Sequence, residues 1–218
     1  MKYKDFQGLT TDINRVTDPE GRIWVYESGK LRSVELPNGE IIDIGEIENK
    51  INNGDYGGAV KDVLLILGYS EEQIKGNPSD NQFGLDLDSD GTIDLIIEIH
   101  PENICGGLGE IGSTSKNGKG TLETLKLFGG AFFDLEDNAS FVMLFHTIGH
   151  EMVHVKNRLG NYYNWDDEWR DSYDEVLAFS WNLVYLDYVS WEGALDFYSD
   201  NYTLHMTNYM KAIGINGW

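Results

Sequence analysis

The chain is poor in several things that would each have pointed to a different kind of protein. Its 218 residues include one cysteine, Cys105, so no intramolecular disulfide framework exists. Cys105 has no Cys/His signature around it and reads as structural or incidental. Basic residues are scarce: 16 Lys plus Arg against 37 Asp plus Glu, a formal charge of -21. A surface that acidic repels phosphate backbones and anionic lipid, which argues against nucleic-acid or membrane partners. No long apolar run exists. The longest, such as Val63-Leu64-Leu65-Ile66-Leu67, is too short to span a bilayer. No apolar stretch follows the lysines of Met1-Lys2-Tyr3-Lys4-Asp5, so no secretory signal is read there. The expected location is cytoplasmic, or export as part of a larger polypeptide. Without a signal, the sequons at Asn138 and Asn201 read as fortuitous. There are only four prolines and no repeats, and no Pro/Ser-rich linker divides the chain.

What is present is a globular composition, 41% hydrophobic and 12% aromatic, enough for one well-buried core. Residues 22–45 read as a β-meander: strands at 23–27, 31–36 and 40–44, with turns at Ser28-Gly29-Lys30 and Pro37-Asn38-Gly39. Short helices are expected over 43–50 and 59–67, a fresh helix start at Ser70-Glu71-Glu72, and a loop over 77–81. Strands are expected over 92–99 and 125–133, with a long glycine-rich loop over 101–120 between them. From Asn138 the pattern turns helical, with helices at 141–159, 172–189, 191–198 and 202–213. The expected class is α+β, a mixed β N-terminal half and a helical C-terminal half. Residues 1–56 form the meander region and 57–218 the main domain, together one compact unit.

Chemistry concentrates in His150-Glu151-Met152-Val153-His154. Two histidines four apart on a helix project from one face on successive turns, so both rings can ligate one zinc ion. Glu151 lies beside the first ligand and can take a proton from a water that the zinc acidifies. Chance produces this pattern in roughly one chain of this length in a hundred. A catalytic zinc site needs a third protein ligand, and the next carboxylate in a comparable helical setting is Glu175. Asp166, Asp167, Glu168, Asp171 and Asp174 compete for that role.

H-E-x-x-H on one helix and a glutamate on the next resembles the gluzincins, the branch of zincin metallopeptidases that includes thermolysin. The resemblance covers roughly residues 125–190. It implies a zincin-like fold, zinc dependence, and hydrolysis of a peptide or protein substrate. The metzincin branch needs a histidine six residues beyond His154, where this chain has Gly160. Gluzincins also tend to place a His or Tyr downstream to stabilise the oxyanion. His205 is the expected residue, with Tyr202 and Tyr209 as alternatives. His146, one turn before His150, reads first as a satisfied core histidine, and otherwise as a group behind the ligands or one lining the substrate cleft. Asn182, on the face of Glu175, is expected to orient a ligand. In zincins an edge strand pairs with the substrate backbone, a role here assigned to the strand over 125–133, with Gly129, Gly130 and Ala131 allowing close approach.

Asp86-Leu87-Asp88-Ser89-Asp90-Gly91-Thr92-Ile93-Asp94 has carboxylates at loop positions one, three, five and nine, Gly91 at the sharp turn and the Thr92 carbonyl at seven. That spacing suits a structural calcium ion held by Asp86, Asp88, Asp90, Thr92 and Asp94. Position twelve is Ile97 and a strand follows, so it resembles the calcium loops of β-rich repeats rather than an EF-hand. Gly107-Leu108-Gly109-Glu110-Ile111-Gly112 matches a dinucleotide fingerprint, but no helix follows it. Gly118-Lys119-Gly120-Thr121 lacks the upstream glycine of a phosphate loop. Residues 29–39 resemble the tyrosine-aspartate repeats of bacterial polymorphic toxins, which implies a toxin module with an immunity or inhibitor protein as partner. A different class, a non-catalytic module stabilised by metals, is separated from the enzyme by whether Glu151→Gln changes any activity.

Overall fold

The computed structural model describes residues 13–102, 112–116, 123–129, 139–159, 169–190 and 193–215. The first sheet is a four-stranded antiparallel meander of β1 (Ile13–Thr17), β2 (Ile23–Glu27), β3 (Lys30–Glu35) and β4 (Ile41–Asp43), in chain order. Strand β1 was not expected, because Ile13-Asn14-Arg15-Val16-Thr17 lacks a clean apolar alternation. The β2–β3 turn has Ser28 and Gly29 both at positive φ, 52° and 81°, the twist that a two-residue hairpin favours. The register then skips Arg32: Tyr26 faces Leu31 and Val25 faces Ser33. This bulge lets Leu31 and Val34, three apart, both point into the core.

Asp43 ends the meander and begins α1 (Ile44–Asn52), its carboxylate accepting the amides of Gly45 and Glu46. Asp55 caps α2 (Tyr56–Ile66) in the same manner. Ser70 to Gln73 form a short 3-10 turn closed by a capping box, the helix start read at Ser70.

The second sheet contains β5 (Ile74–Lys75), β6 (Gln82–Leu85), β7 (Leu95–His100), β8 (Gly112–Lys116) and β9 (Glu123–Phe128), in the order β5-β6-β7-β9-β8. β7 and β9 run parallel and the other pairs antiparallel. Two expectations change here. The polar segment Gly112-Ser113-Thr114-Ser115-Lys116 lies inside the expected loop yet is a strand, paired antiparallel with β9. And the strand before the HExxH helix stops at Phe128 in the interior of the sheet; among the described residues, β5 and β8 are the edges.

The rest is helical: α3 (Ala139–Leu159), α4 (Arg170–Tyr185) and α5 (Ala194–Ala212). α5 runs through Ser199-Asp200-Asn201, where the sequence pattern predicts a break. Ser199 and Asn201 bond back to the carbonyls of Asp196 and Phe197, so the polar side chains are satisfied within a continuous helix.

One hydrophobic core joins meander, second sheet and helices. Trp24 of β2 meets Phe145 of α3 edge-on, ring centres 5.4 Å apart. Buried Arg22 binds Asp18 at 2.5 Å and the Ile66 carbonyl at 2.8 Å, and lies over the Tyr185 ring. The Tyr26 hydroxyl donates to the Tyr188 carbonyl. No helix among the described residues is long and apolar enough to cross a membrane.

Candidate metal centre on two facing helices

α3 is anchored at its start by α1: the Glu48 carboxylate accepts the Phe141 amide at 2.6 Å. Phe141, Leu144, Phe145, Ile148, Met152 and Val155 are all buried. α4 runs antiparallel to α3, since His154 meets Asp174 while His146 meets Asn182. Gly149 sets how close the two helices come. A Cβ there would lie 1.9 Å from the Trp181 ring, which is itself packed against Phe145 and Tyr185. Gly149→Ala is therefore expected to destabilise the fold by about 1–3 kcal/mol through overpacking, read as a lower urea midpoint at unchanged slope.

The side chains of His150, His154 and Glu175 converge. Nε2 of His150 is 3.2 Å from Nε2 of His154. The Glu175 carboxylate reaches both, Oε2 at 3.4 Å from His150 Nε2 and Oε1 at 3.6 Å from His154 Nε2. Donors bound tetrahedrally to one zinc at about 2.0–2.1 Å stand about 3.3 Å from one another.

The far side of each ring is committed. His154 Nδ1 donates to Asp174 Oδ2 at 2.7 Å, and Asn157 donates to the other Asp174 oxygen at 2.6 Å. His150 Nδ1 donates to Asn182 Oδ1 at 2.8 Å. With both protons on Nδ1, the two Nε2 lone pairs and a carboxylate face one point. Such a group could hold a cation: a shared proton satisfies two acceptors, a metal ion all three. Burial pushes the Glu175 carboxyl up, but a hydrogen bond to His150 and the charges of His154, His150 and His205 outweigh it and hold it below the ordinary carboxylate range. Burial likewise pushes His154 down, but Asp174, Glu151 and Glu175 reverse this and hold the imidazole above its usual range.

Glu151 is 8% exposed, and desolvation raises its carboxyl above the ordinary range against the charges of His150 and His154. A buried carboxylate with a raised pKa is suited to accepting and returning a proton. His205 on α5 stacks over Phe179 at 5.6 Å, and Phe179 lies 4.6 Å from the His150 ring. Tyr209 packs with Trp169 and Tyr173. Tyr202 leans on the hydrophobic core.

Asp174, a rival third ligand by sequence, lies behind His154, and Asp171 is exposed. Asp166, Asp167 and Glu168 lie outside the described residues, as do Cys105, Gly130 and Ala131. The strand expected at an edge is instead interior: β9 ends before Gly129, which is buried, and is flanked on both sides by β7 and β8. The roles of Asp174 and Asn157 were missed. An acidic residue next to Glu175 and an amide three residues past His154 were the only signals.

His146 is fully buried, its ring between Asn182 and the Val189 carbonyl. Burial pushes its pKa down to about 4. Because that lies below the unfolded value of 6.5, the unfolded chain binds the extra proton between the two values. Stability is complete above about pH 6.5 and falls as pH drops toward 4, by about 3 kcal/mol from this group. Urea unfolding across that window is expected to show a steeper acid loss in the wild type than in His146→Phe.

The second acidic cluster lies between β6 and β7. Carboxylate oxygens of Asp86, Asp88 and Asp94 lie within 4.8 Å of one another. Asp86 accepts the amides of Asp90 and Gly91, and Asp94 accepts that of Leu87. Asp90 turns to the Thr92 amide. Three of the five expected calcium residues are thus brought together. A cavity of about 500 Å³ lies elsewhere, between the β3–β4 turn and the end of α2, lined by Arg22, Pro37, Leu65 and Tyr69 among others. Its lining has no histidine or cysteine, so side-chain geometry, not cavity size, marks the chemical site.

No family model, curated protein or solved structure matches the chain.

Proposed function

We propose that the chain is a zinc-dependent metallopeptidase of the gluzincin type. One observation carries the reading: two imidazoles with both Nδ1 protons committed turn their Nε2 atoms, 3.2 Å apart, toward the Glu175 carboxylate. His150, His154 and Glu175 would hold the metal. Bound there, zinc supplies a Lewis acid that acidifies water and polarises a carbonyl. Glu151 takes the proton of the attacking water and returns it to the leaving amine. Asp174 and Asn182 hold the two rings in the ligating tautomer. His205, stacked on the Phe179 ring beside His150, would donate toward the developing oxyanion. β8, in contact with α3 and at an edge of the sheet among the described residues, would offer backbone groups to an extended peptide.

The test is cleavage of a peptide library by protein stripped with chelator and then restored with zinc. Activity lost and regained supports the reading. A zinc-loaded protein that cleaves nothing overturns it in favour of a metal-stabilised binding module.

For the acidic loop we retain structural calcium, supported by the convergence of Asp86, Asp88 and Asp94. Calcium at a hundred times its Kd is expected to stabilise the fold by about 2.7 kcal/mol. A melting temperature that calcium leaves unmoved, or moves equally in Asp88→Ala, would sink this assignment.

A further inference from the structure

The two ligand histidines are held from behind by different chemistry, and the difference gives a role to the third histidine. His154 is held by the Asp174 carboxylate, which only accepts. His150 is held by the Asn182 carboxamide, which has a donor end and an acceptor end. The wrong end would reverse the proton on His150.

We propose that His146 is a positioning residue: its ring and its own carbonyl lock the Asn182 amide so that the oxygen faces His150, fixing His150 with its proton on Nδ1 and its Nε2 free for the metal. The inference rests on the metal reading of His150, His154 and Glu175.

The direction of each bond follows from its neighbour. The Val189 carbonyl, 2.8 Å from His146 Nε2, can only accept, so His146 carries its proton on Nε2. A neutral ring then has a lone pair on Nδ1, 3.1 Å from Asn182 Nδ2. The same Nδ2 is 3.0 Å from the His146 carbonyl. One end of Asn182 thus faces two acceptors, which only an NH2 group can meet, with one hydrogen for each. Its oxygen is left for Nδ1 of His150. Turned over, the amide would set oxygen against a carbonyl and a ring lone pair, and would force the His150 proton onto Nε2, into the metal seat. Both His146 and Asn182 are exposed by 1% or less, so water does not relieve a wrong orientation. The anchor at the far end is itself braced. Val189 bonds back to the Tyr185 carbonyl, and Tyr26 of the meander donates to the carbonyl of the adjacent Tyr188. The N-terminal sheet therefore supports the turn on which the proton order of His150 depends.

The test reads tautomers by long-range proton–nitrogen NMR of the full-length, zinc-free chain labelled with nitrogen-15 histidine, at alkaline pH where the imidazoles are neutral. In the wild type, His146 is expected as the Nε2–H form and His150 and His154 as Nδ1–H forms. In His146→Phe, which keeps a ring but loses the ring acceptor and leaves only the backbone carbonyl to hold the amide, the Nε2–H form of His150 is expected to appear while His154 stays Nδ1–H. Zinc affinity, measured by chelator competition, should fall about 10–100-fold, as for other groups that support metal ligands. His146→Gln can again accept from Asn182 and donate to Val189, and should restore both. A wild-type His146 with its proton on Nδ1, or a wild-type His150 with its proton on Nε2, overturns the proposal whether or not the variants fold. So does a folded His146→Phe protein in which the His150 tautomer and zinc affinity are unchanged. The tautomers are read without metal or substrate, so an absence of peptidase activity would count against the function proposed above and leave this result standing.

Discussion

Glu151→Gln is expected to lower peptide hydrolysis by about a hundred- to ten-thousand-fold, the range that one positioned general base contributes, while zinc still binds. The substitution is nearly isosteric and removes the group that exchanges a proton. It leaves His150, His154 and Glu175 in place. Glu151 is buried, and desolvation already disfavours its charge, so the neutral amide costs the fold little. The measurement is a pair: zinc content and initial rate on the best library peptide, for wild type and variant. Loss of rate with zinc retained supports a proton-transfer role. Loss of both would mean that Glu151 serves the metal, and an unchanged rate would remove it from the chemistry.

Glu175→Ala is expected to reduce zinc affinity by more than about a hundred-fold, beyond what loss of a supporting group causes, and to abolish hydrolysis with it. The two Nε2 atoms alone leave the ion two of its four positions without protein donors beyond water. Asp171→Ala is the control: it removes an exposed carboxylate from the same helix, four residues away, and should change neither quantity. Should Asp171→Ala and Glu175→Ala behave alike, long-range charge rather than coordination would explain the effect. The gluzincin-type assignment would then fall.

Much of this was legible in the sequence because it depends on helical spacing. His150 and His154 share a face by their four-residue separation, and Glu175 recurs one helix later. The acid–amide partners were harder to read. Asn182 could be placed on the face of Glu175, whereas Asp174 looked like a rival ligand. One residue of helical offset rotates a side chain by about 100°, enough to put Asp174 behind His154 rather than beside the metal seat. The meander was visible through Ser28-Gly29 and Asn38-Gly39, whose turn chemistry is local. Strand β8 was not. Its residues are small and polar, and its identity comes from the partner it bonds to, which no local pattern records. The same nonlocal pairing puts β9 inside the sheet and β8 at one of its edges among the described residues. The single helix α5 looked like two because Ser199, Asp200 and Asn201 are poor helix formers whose backbone-directed bonds become apparent only once the helix exists.

The most direct test of the central claim is the zinc content of the purified chain and of the variant carrying both His150→Ala and His154→Ala, measured after dialysis against zinc-buffered solution, with zinc-edge X-ray absorption on the wild type. The expected result is one zinc per wild-type chain, a first shell of nitrogen and oxygen donors at about 2.0–2.1 Å with the outer-shell signature of two imidazoles, and none in the double variant. A wild-type chain that holds no zinc, or a double variant that holds as much as the wild type, would contradict it.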